Sequence, residues 1–266
     1  MKDKNHKLGT FPFGNQVIKV SQSDKTPKPV FVLGVYGSAV FAQFISKNHV
    51  NNIQCLPVDN EPEIFWSGGL NEAKQIISKI KVPKHSGKLI AENEKLNGML
   101  GKALDKYFLH PLKLDRSQVW LCNLFPHFVS NKNERRSVKN FNYIHATIKT
   151  PPAILPSKKN RWNYIGKVRF REVTEEIFQA RPEYLVTLGE QPLKWLLKEF
   201  NPTVGNLLNV KNYGTITDIN FDSIKLKLIP LFHPRQILKE KNRESRIGLL
   251  HYDWLKSKAK KIKISY

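Results

Sequence analysis

Three groups in this 266-residue chain have the types and settings to do chemistry. The first is His233, in Phe232-His233-Pro234-Arg235, where the apolar stretch LKLIPLFHPRQIL (226–238) breaks off. Ligands of an open α/β sheet meet the carboxyl ends of its strands, so a histidine at that point faces a site. Pro234 fixes its own φ and keeps His233 out of helical geometry, which holds the imidazole on a stiff turn. The competing reading is a proline that ends a strand and a rim histidine with no ligand. The second group is Asn123, after Val119-Trp-Leu-Cys122. Its amide can offer a donor and an acceptor to a ligand edge, or it can cap a turn. The third is Asp59, Glu61 and Glu63, followed by Phe65 and Trp66. Three carboxylates gathered past a strand end, beside exposed-looking aromatics, point to a site in a chain poor in acids. A solvated loop that balances nearby lysines is the alternative.

The elements that must position these groups read as α/β. Val30-Phe-Val-Leu33 is a wholly apolar run, Gly34-Val-Tyr36-Gly-Ser38 a glycine-bearing turn, and Ala39–Ile45 a helix, as in a parallel sheet covered on both faces. The amides of such a turn point above the sheet. The spacing of a Walker loop or a dinucleotide fingerprint is missing. Ile53–Val58 and Val119–Cys122 are further strands; Leu70–Ile80 and Asn97–Leu109 carry apolar residues at helical spacing. A proline-bearing span, 130–166, reads as a long basic loop. Beyond it come a helix over Phe170–Ala180, a strand at Tyr184–Leu188, a turn at Gly189 and a helix over Gln191–Phe200. Residues 207–222 read as a hairpin or irregular insertion, 226–232 as a strand, and Arg243–Lys261 as a helix with Ile247, Leu250 and Trp254 on its apolar face. Residues 1–28 form an irregular arm, and 29–266 one domain with the basic insertion at about 130–166.

Lys and Arg number 44 against 22 Asp and Glu, a net charge of +22. Such a field attracts polyanions, nucleic acid above all; a lysine-rich codon bias is the other source of the excess. From Lys132 to Arg171 the only acid is Glu134. Lys158, Lys159, Arg161 and Trp162 lie in this span with Arg135, Arg136, Lys139, Tyr143, Tyr164 and Arg169. Cations beside aromatics suit phosphates and bases; a solvated basic loop would look the same. Cys55 and Cys122 sit in apolar runs and read as buried, reduced thiols rather than a metal or disulfide framework. No apolar run reaches the roughly 18 residues of a membrane span, and the first residues lack a signal peptide's apolar core. The expectation is a cytoplasmic monomer with no cofactor and no metal, whose partner is nucleic acid.

The pieces VFVLGVYGSA, VWLCNLFP, YLVTLGEQPLKWL and LIPLFHPRQIL, in that order, together resemble the uracil-DNA glycosylase superfamily, with GLLHYDWLKSKAK resembling its last helix. The resemblance covers roughly residues 30–258. It implies a three-layer α/β/α sandwich with a central, mainly parallel four-stranded sheet. It also implies hydrolysis of the N-glycosidic bond of uracil or a modified base in DNA. That reaction places positive charge on the sugar and negative charge on the departing base, after the nucleotide has been flipped out. By resemblance His233 donates to the base oxygen, Asn123 reads the base edge, and Phe65 or Trp66 stacks on the base. Gly34, Tyr36 and Ser38 belong to the first turn of the pocket, and Arg235, Ile237 or Leu238 fills the vacated stack. Two departures matter, and one is Arg235 after His-Pro, where the family often has Ser. The superfamily's first turn usually supplies an Asp or Asn for the attacking water, and here it carries Tyr36 and Ser38. Either Asp59, Glu61 or Glu63 takes that role, or the protein binds nucleic acid or a nucleotide without hydrolysing it. A hydrolase of free nucleosides or nucleotides is a third reading.

Overall fold

The computed structural model describes residues 8–156, 167–200, 211–221, 224–239 and 245–264. In chain order the strands are β1 (Val30–Gly37), β2 (Ala39–Ser46), β3 (Ile53–Asn60), β4 (Gly87–Ala91), β5 (Val119–Phe128), β6 (Tyr184–Leu188), β7 (Thr217–Phe221) and β8 (Ile224–Leu231). The helices are α1 (Leu70–Ser78), α2 (Met99–Leu104), α3 (Lys132–Ile144), α4 (Lys167–Ala180), α5 (Glu190–Phe200), α6 (Pro234–Lys239) and α7 (Arg246–Lys256). A π-helical segment, Asp105–Leu109, continues α2. Among the described residues no helix is long and apolar enough to cross a membrane.

The chain divides into two compact units. One holds the chain up to Val20, Tyr36–Gly101 and the stretch that begins at Phe125; the other holds Ser21–Val35, Lys102–Leu124 and the described residues beyond 166. The cut falls inside β1 and inside β5.

The second unit is built on a five-stranded sheet in the order β5-β1-β6-β8-β7. β1, β6 and β8 run parallel, and β7 closes the far edge antiparallel. Phe31 stacks on Trp120 with ring centroids 6.4 Å apart, and Gly37 lies against the backbone of His127, so β5 runs beside β1 in the same sense. β1 and β6 are buried almost throughout because both faces are covered. On one face Trp120 Nε1 donates to Glu176 of α4 (3.0 Å), and Phe170 of α4 meets Trp195 of α5. Neighbouring residues of a strand point to opposite faces. Val30, next to Phe31, is in register with Tyr184, whose hydroxyl donates to the Lys263 carbonyl beyond α7. The result is an α/β three-layer sandwich, with five strands where four were expected. The fifth is β7, whose alternating polar and buried residues suit an edge. The opposite edge, β5, is covered by the N-terminal arm. Gln22 Oε1 accepts the Leu121 N–H, and the Pro126 carbonyl accepts the Val20 N–H.

The first unit contains a separate antiparallel sheet, β3-β2-β4. Here the sequence reading is corrected. Gly34–Ser38 is not a turn, since β1 runs to Gly37, and Ala39–Ile45 is the strand β2 rather than a helix. A short apolar run cannot be assigned by periodicity alone. Partners on both sides decide it, β3 and β4 each pairing with β2. Buried Asn97 works like a further strand residue, accepting the Phe41 N–H and donating to the Phe41 and Glu92 carbonyls. The span 130–166 is corrected in the same way, because its first third is α3. Asn131 caps α3 through the N–H groups of Asn133 and Glu134, while Glu134 accepts the Asn131 N–H, a reciprocal capping box. Val138 and Phe141 bury the apolar face, and the Asn142 amide clamps both backbone groups of Ala153 at 2.8 Å. The arm is irregular yet packed, with Phe11 and Val17 buried against Ala39, Phe41 and Phe128.

Candidate functional site

The register of the five-stranded sheet sets out its carboxyl rim. Leu33 pairs with Thr187, and Leu188 with Leu231, so Gly34, Leu188 and Leu231 form the last row shared by β1, β6 and β8. The Phe31–Trp120 and Gly37–His127 neighbours put the Asn123–Leu124 segment level with Gly34. Asn123 is therefore at the rim of the sheet, although not at the end of its own strand as expected, since β5 continues to Phe128. From β1 the chain passes to β5 on one side and then to β6 on the other. The boundary between β1 and β6 is thus a topological switch point, where open α/β sheets take their ligands.

One residue beyond the row lie Gly189 and, past Phe232, His233. Gly189 has φ +98°, a conformation that L side chains rarely adopt, and its N–H donates to the Leu231 carbonyl at 2.7 Å. A Cβ there would stand 3.5 Å from the His233 Cβ, so the β6 bend lies directly against the histidine. His233 is itself the cap of α6. Its Nδ1 accepts the Arg235 N–H (3.2 Å), Gln236 Oε1 accepts the His233 N–H (3.1 Å), and Pro234 occupies the first helical position. With Nδ1 accepting, a neutral ring carries its proton on Nε2. Burial, aided by the Arg235 charge, pushes the imidazole down to about 4, so it is neutral at pH 7. Asn123 is buried, and its Oδ1 has no hydrogen-bond partner among the described residues. An orphaned amide oxygen costs roughly 1–3 kcal/mol until something donates to it.

Two buried groups brace this rim, and sequence reading missed both. The first is Arg169 of α4, read as a surface cation and found 1% exposed. It donates to the Asn123 and Leu124 carbonyls and to Cys122 Sγ, and it pairs with Glu172 and Glu176. It thus pins β5 on both sides of Asn123's Cα. The second is His251 of α7, with Tyr213. The Tyr213 hydroxyl donates to His251 Nδ1 (2.7 Å), Nε2–H donates to the Tyr107 carbonyl (3.0 Å), and the Tyr213 ring stacks on Phe232, next to His233. Burial raises the Tyr213 hydroxyl far above its usual value, so it stays a donor, and lowers His251 to about 4.

A pH dependence follows. The unfolded chain takes up the His251 proton below about pH 6.5 and the folded chain only below about 4, so stability falls as the pH drops through that window. Its full size from this group is about 3 kcal/mol. Urea unfolding at neutral and at acid pH reads it out, and His251→Gln should flatten the slope. A variant with the parent's slope would overturn the assignment.

The carboxylates expected at the site belong to the first unit. Asp59 ends β3 half-buried and accepts from the Asn15 amide (2.8 Å) and from the Asn60 N–H; burial raises its pKa. Glu61 is buried and Glu63 exposed. The aromatics are a correction. Trp66 is 2% exposed in the core, donates to Glu72 (3.1 Å), and is approached so closely by Gly68 and Gly101 that neither could bear a Cβ. It has no face to offer a base. Phe65, at φ +52°, is buried as well. Tyr36 is exposed and Ser38 half-buried. Of the nucleic-acid contacts expected, Arg235 is exposed and Ile237 and Leu238 are half-buried on α6. Lys158, Lys159, Arg161 and Trp162 lie outside the described residues. The chain matches no family model and no curated protein.

Proposed function

We propose that the protein is a DNA glycosylase-like enzyme that flips out uracil or a modified base and hydrolyses its N-glycosidic bond. The observation that carries this reading is that one sheet carries, toward its carboxyl end, a cap-locked neutral imidazole beyond β8 and, across β6 and β1, a buried amide oxygen on β5 with no donor among the described residues. The departing base builds negative charge on a carbonyl oxygen. His233 Nε2–H is a donor for it, in the manner of an oxyanion contact worth about 3 kcal/mol. The base edge carries an N–H that answers Asn123 Oδ1.

The assay is incubation of purified protein with uracil-containing single- and double-stranded DNA, followed by alkali. Strand cleavage at the uracil is the expected result. Binding without cleavage on any deaminated or damaged base would sink the enzymatic reading. One observation favours the alternative, a silent nucleic-acid or nucleotide-binding protein. The end of β1 offers only Tyr36 and Ser38, with no acid.

A further inference from the structure

We propose that α3 is a docking stripe for single-stranded nucleic acid, separate from the rim chemistry and independent of whether that chemistry occurs. Lys132, Arg136, Lys139 and Tyr143 recur at helical spacing along one face of this 13-residue helix. At 1.5 Å per residue they span about 16 Å. All four are exposed, Tyr143 at 71%, and Arg135 flanks them. The opposite face is buried through Val138 and Phe141, so the stripe is the side that the helix turns away from the core.

The charge on the stripe is not neutralised from within. Glu134 is the helix's only acid, and both its oxygens are taken by Asn131. Among the described residues no carboxylate pairs with Lys132, Arg136 or Lys139. The Lys139 ammonium lies 5.6 Å from the Tyr143 ring centroid, a cation beside an open aromatic face. Cations that follow a backbone, next to a ring on which any base can stack, are the components of sequence-tolerant strand binding. A plain acidic partner would need the cations but not the exposed ring.

The stripe leads to a place for a nucleotide. The last turn of α3 supplies Ile144, and Ile148 follows; together they form the apolar wall of a groove of about 320 Å³. Lys47, Asn51, His85 and Ser86 line the rest. An apolar wall with amide, hydroxyl and cationic groups around it suits a base and its phosphate.

The test uses the full chain, with binding of a fluorescein-labelled oligothymidylate followed by anisotropy across a range of NaCl concentrations. Combining Lys132→Gln, Arg136→Gln and Lys139→Gln should make the plot of log affinity against log salt shallower by about 2, since each phosphate contact on a single strand contributes about 0.7. Tyr143→Ala should weaken binding about tenfold with the slope unchanged, as the loss of one stacked base does. His233→Ala should alter neither quantity, which separates this surface from the rim. Three results would overturn the proposal: an unchanged slope in the triple variant, no effect of Tyr143→Ala, or competition by polyglutamate as effective as that by unlabelled oligonucleotide. All four residues are solvent-facing, and circular dichroism should show the variants folded.

Discussion

His233→Ala is expected to lower single-turnover cleavage of uracil-containing DNA by two to three powers of ten while leaving DNA affinity within about twofold. Removal of one pre-aimed donor to a developing anion typically costs that much, and affinity for the strand comes from cations elsewhere. The tautomer supplies a second, sharper arm. Since the Arg235 N–H holds Nδ1 as acceptor and Gln236 Oε1 holds the His233 backbone N–H, Gln236→Ala should cost a fraction of the His233→Ala effect by loosening the cap without removing the donor. The pH profile should agree. Protonation puts a proton on Nδ1, which can then no longer accept the Arg235 N–H, so the ring is released only as pH falls toward about 4, not through the usual 6.5. An acid limb centred near 6.5, or a His233→Ala protein as fast as its parent, would sink the role. Measuring rate and binding on the same preparations separates chemistry from folding.

Arg169→Met should destabilise the fold by about 3 kcal/mol, because removing one partner of a buried ion pair strands the others. Three acceptors along β5 and two carboxylates on α4 would lose their donor together. Trp120 reports the change directly, its indole being bonded to Glu176 of the same cluster. Fluorescence-monitored urea unfolding should therefore show a lower midpoint. Arg169→Lys should recover only part of the loss, since an ammonium keeps the charge but not the planar fork that reaches the Cys122–Leu124 segment. A midpoint within error of the parent would mean that the cluster contributes nothing net.

The readable part of the fold lay where one physical signal dominates. Val30–Leu33 and Leu228–Leu231 are continuous apolar runs and Tyr184–Leu188 is broken only by Thr187, as in strands covered on both faces. Gly189 marked a bend that requires positive φ, and Pro234 marked a helix start. The misreadings share one cause. Ala39–Ile45 suits helix and strand alike, and β3 and β4, far along the chain, settle which. α3 was hidden by its charges, even though Asn131 and Glu134 carried a capping-box signature in plain view. Trp66 looked available because it follows a group of acids; Gly68, where a Cβ would stand 2.1 Å from the ring, lets the indole into the core.

The candidate site divides along the same line. His233 and Asn123 were legible as groups because a strand end followed by His-Pro, or by an amide, is a local pattern. That they lie toward one end of the same sheet depends on register between strands some ninety and one hundred and fifty residues away from β1. Arg169 and His251 could not be recognised as braces, since burial turns an ordinary cation and an ordinary imidazole into fixed donors and acceptors. Local chemistry along the chain thus determined which groups exist and which strands carry them. Packing at long range decided which are neutral, which are buried and which lie side by side, because solvent exclusion and register exist only once the sheet has formed.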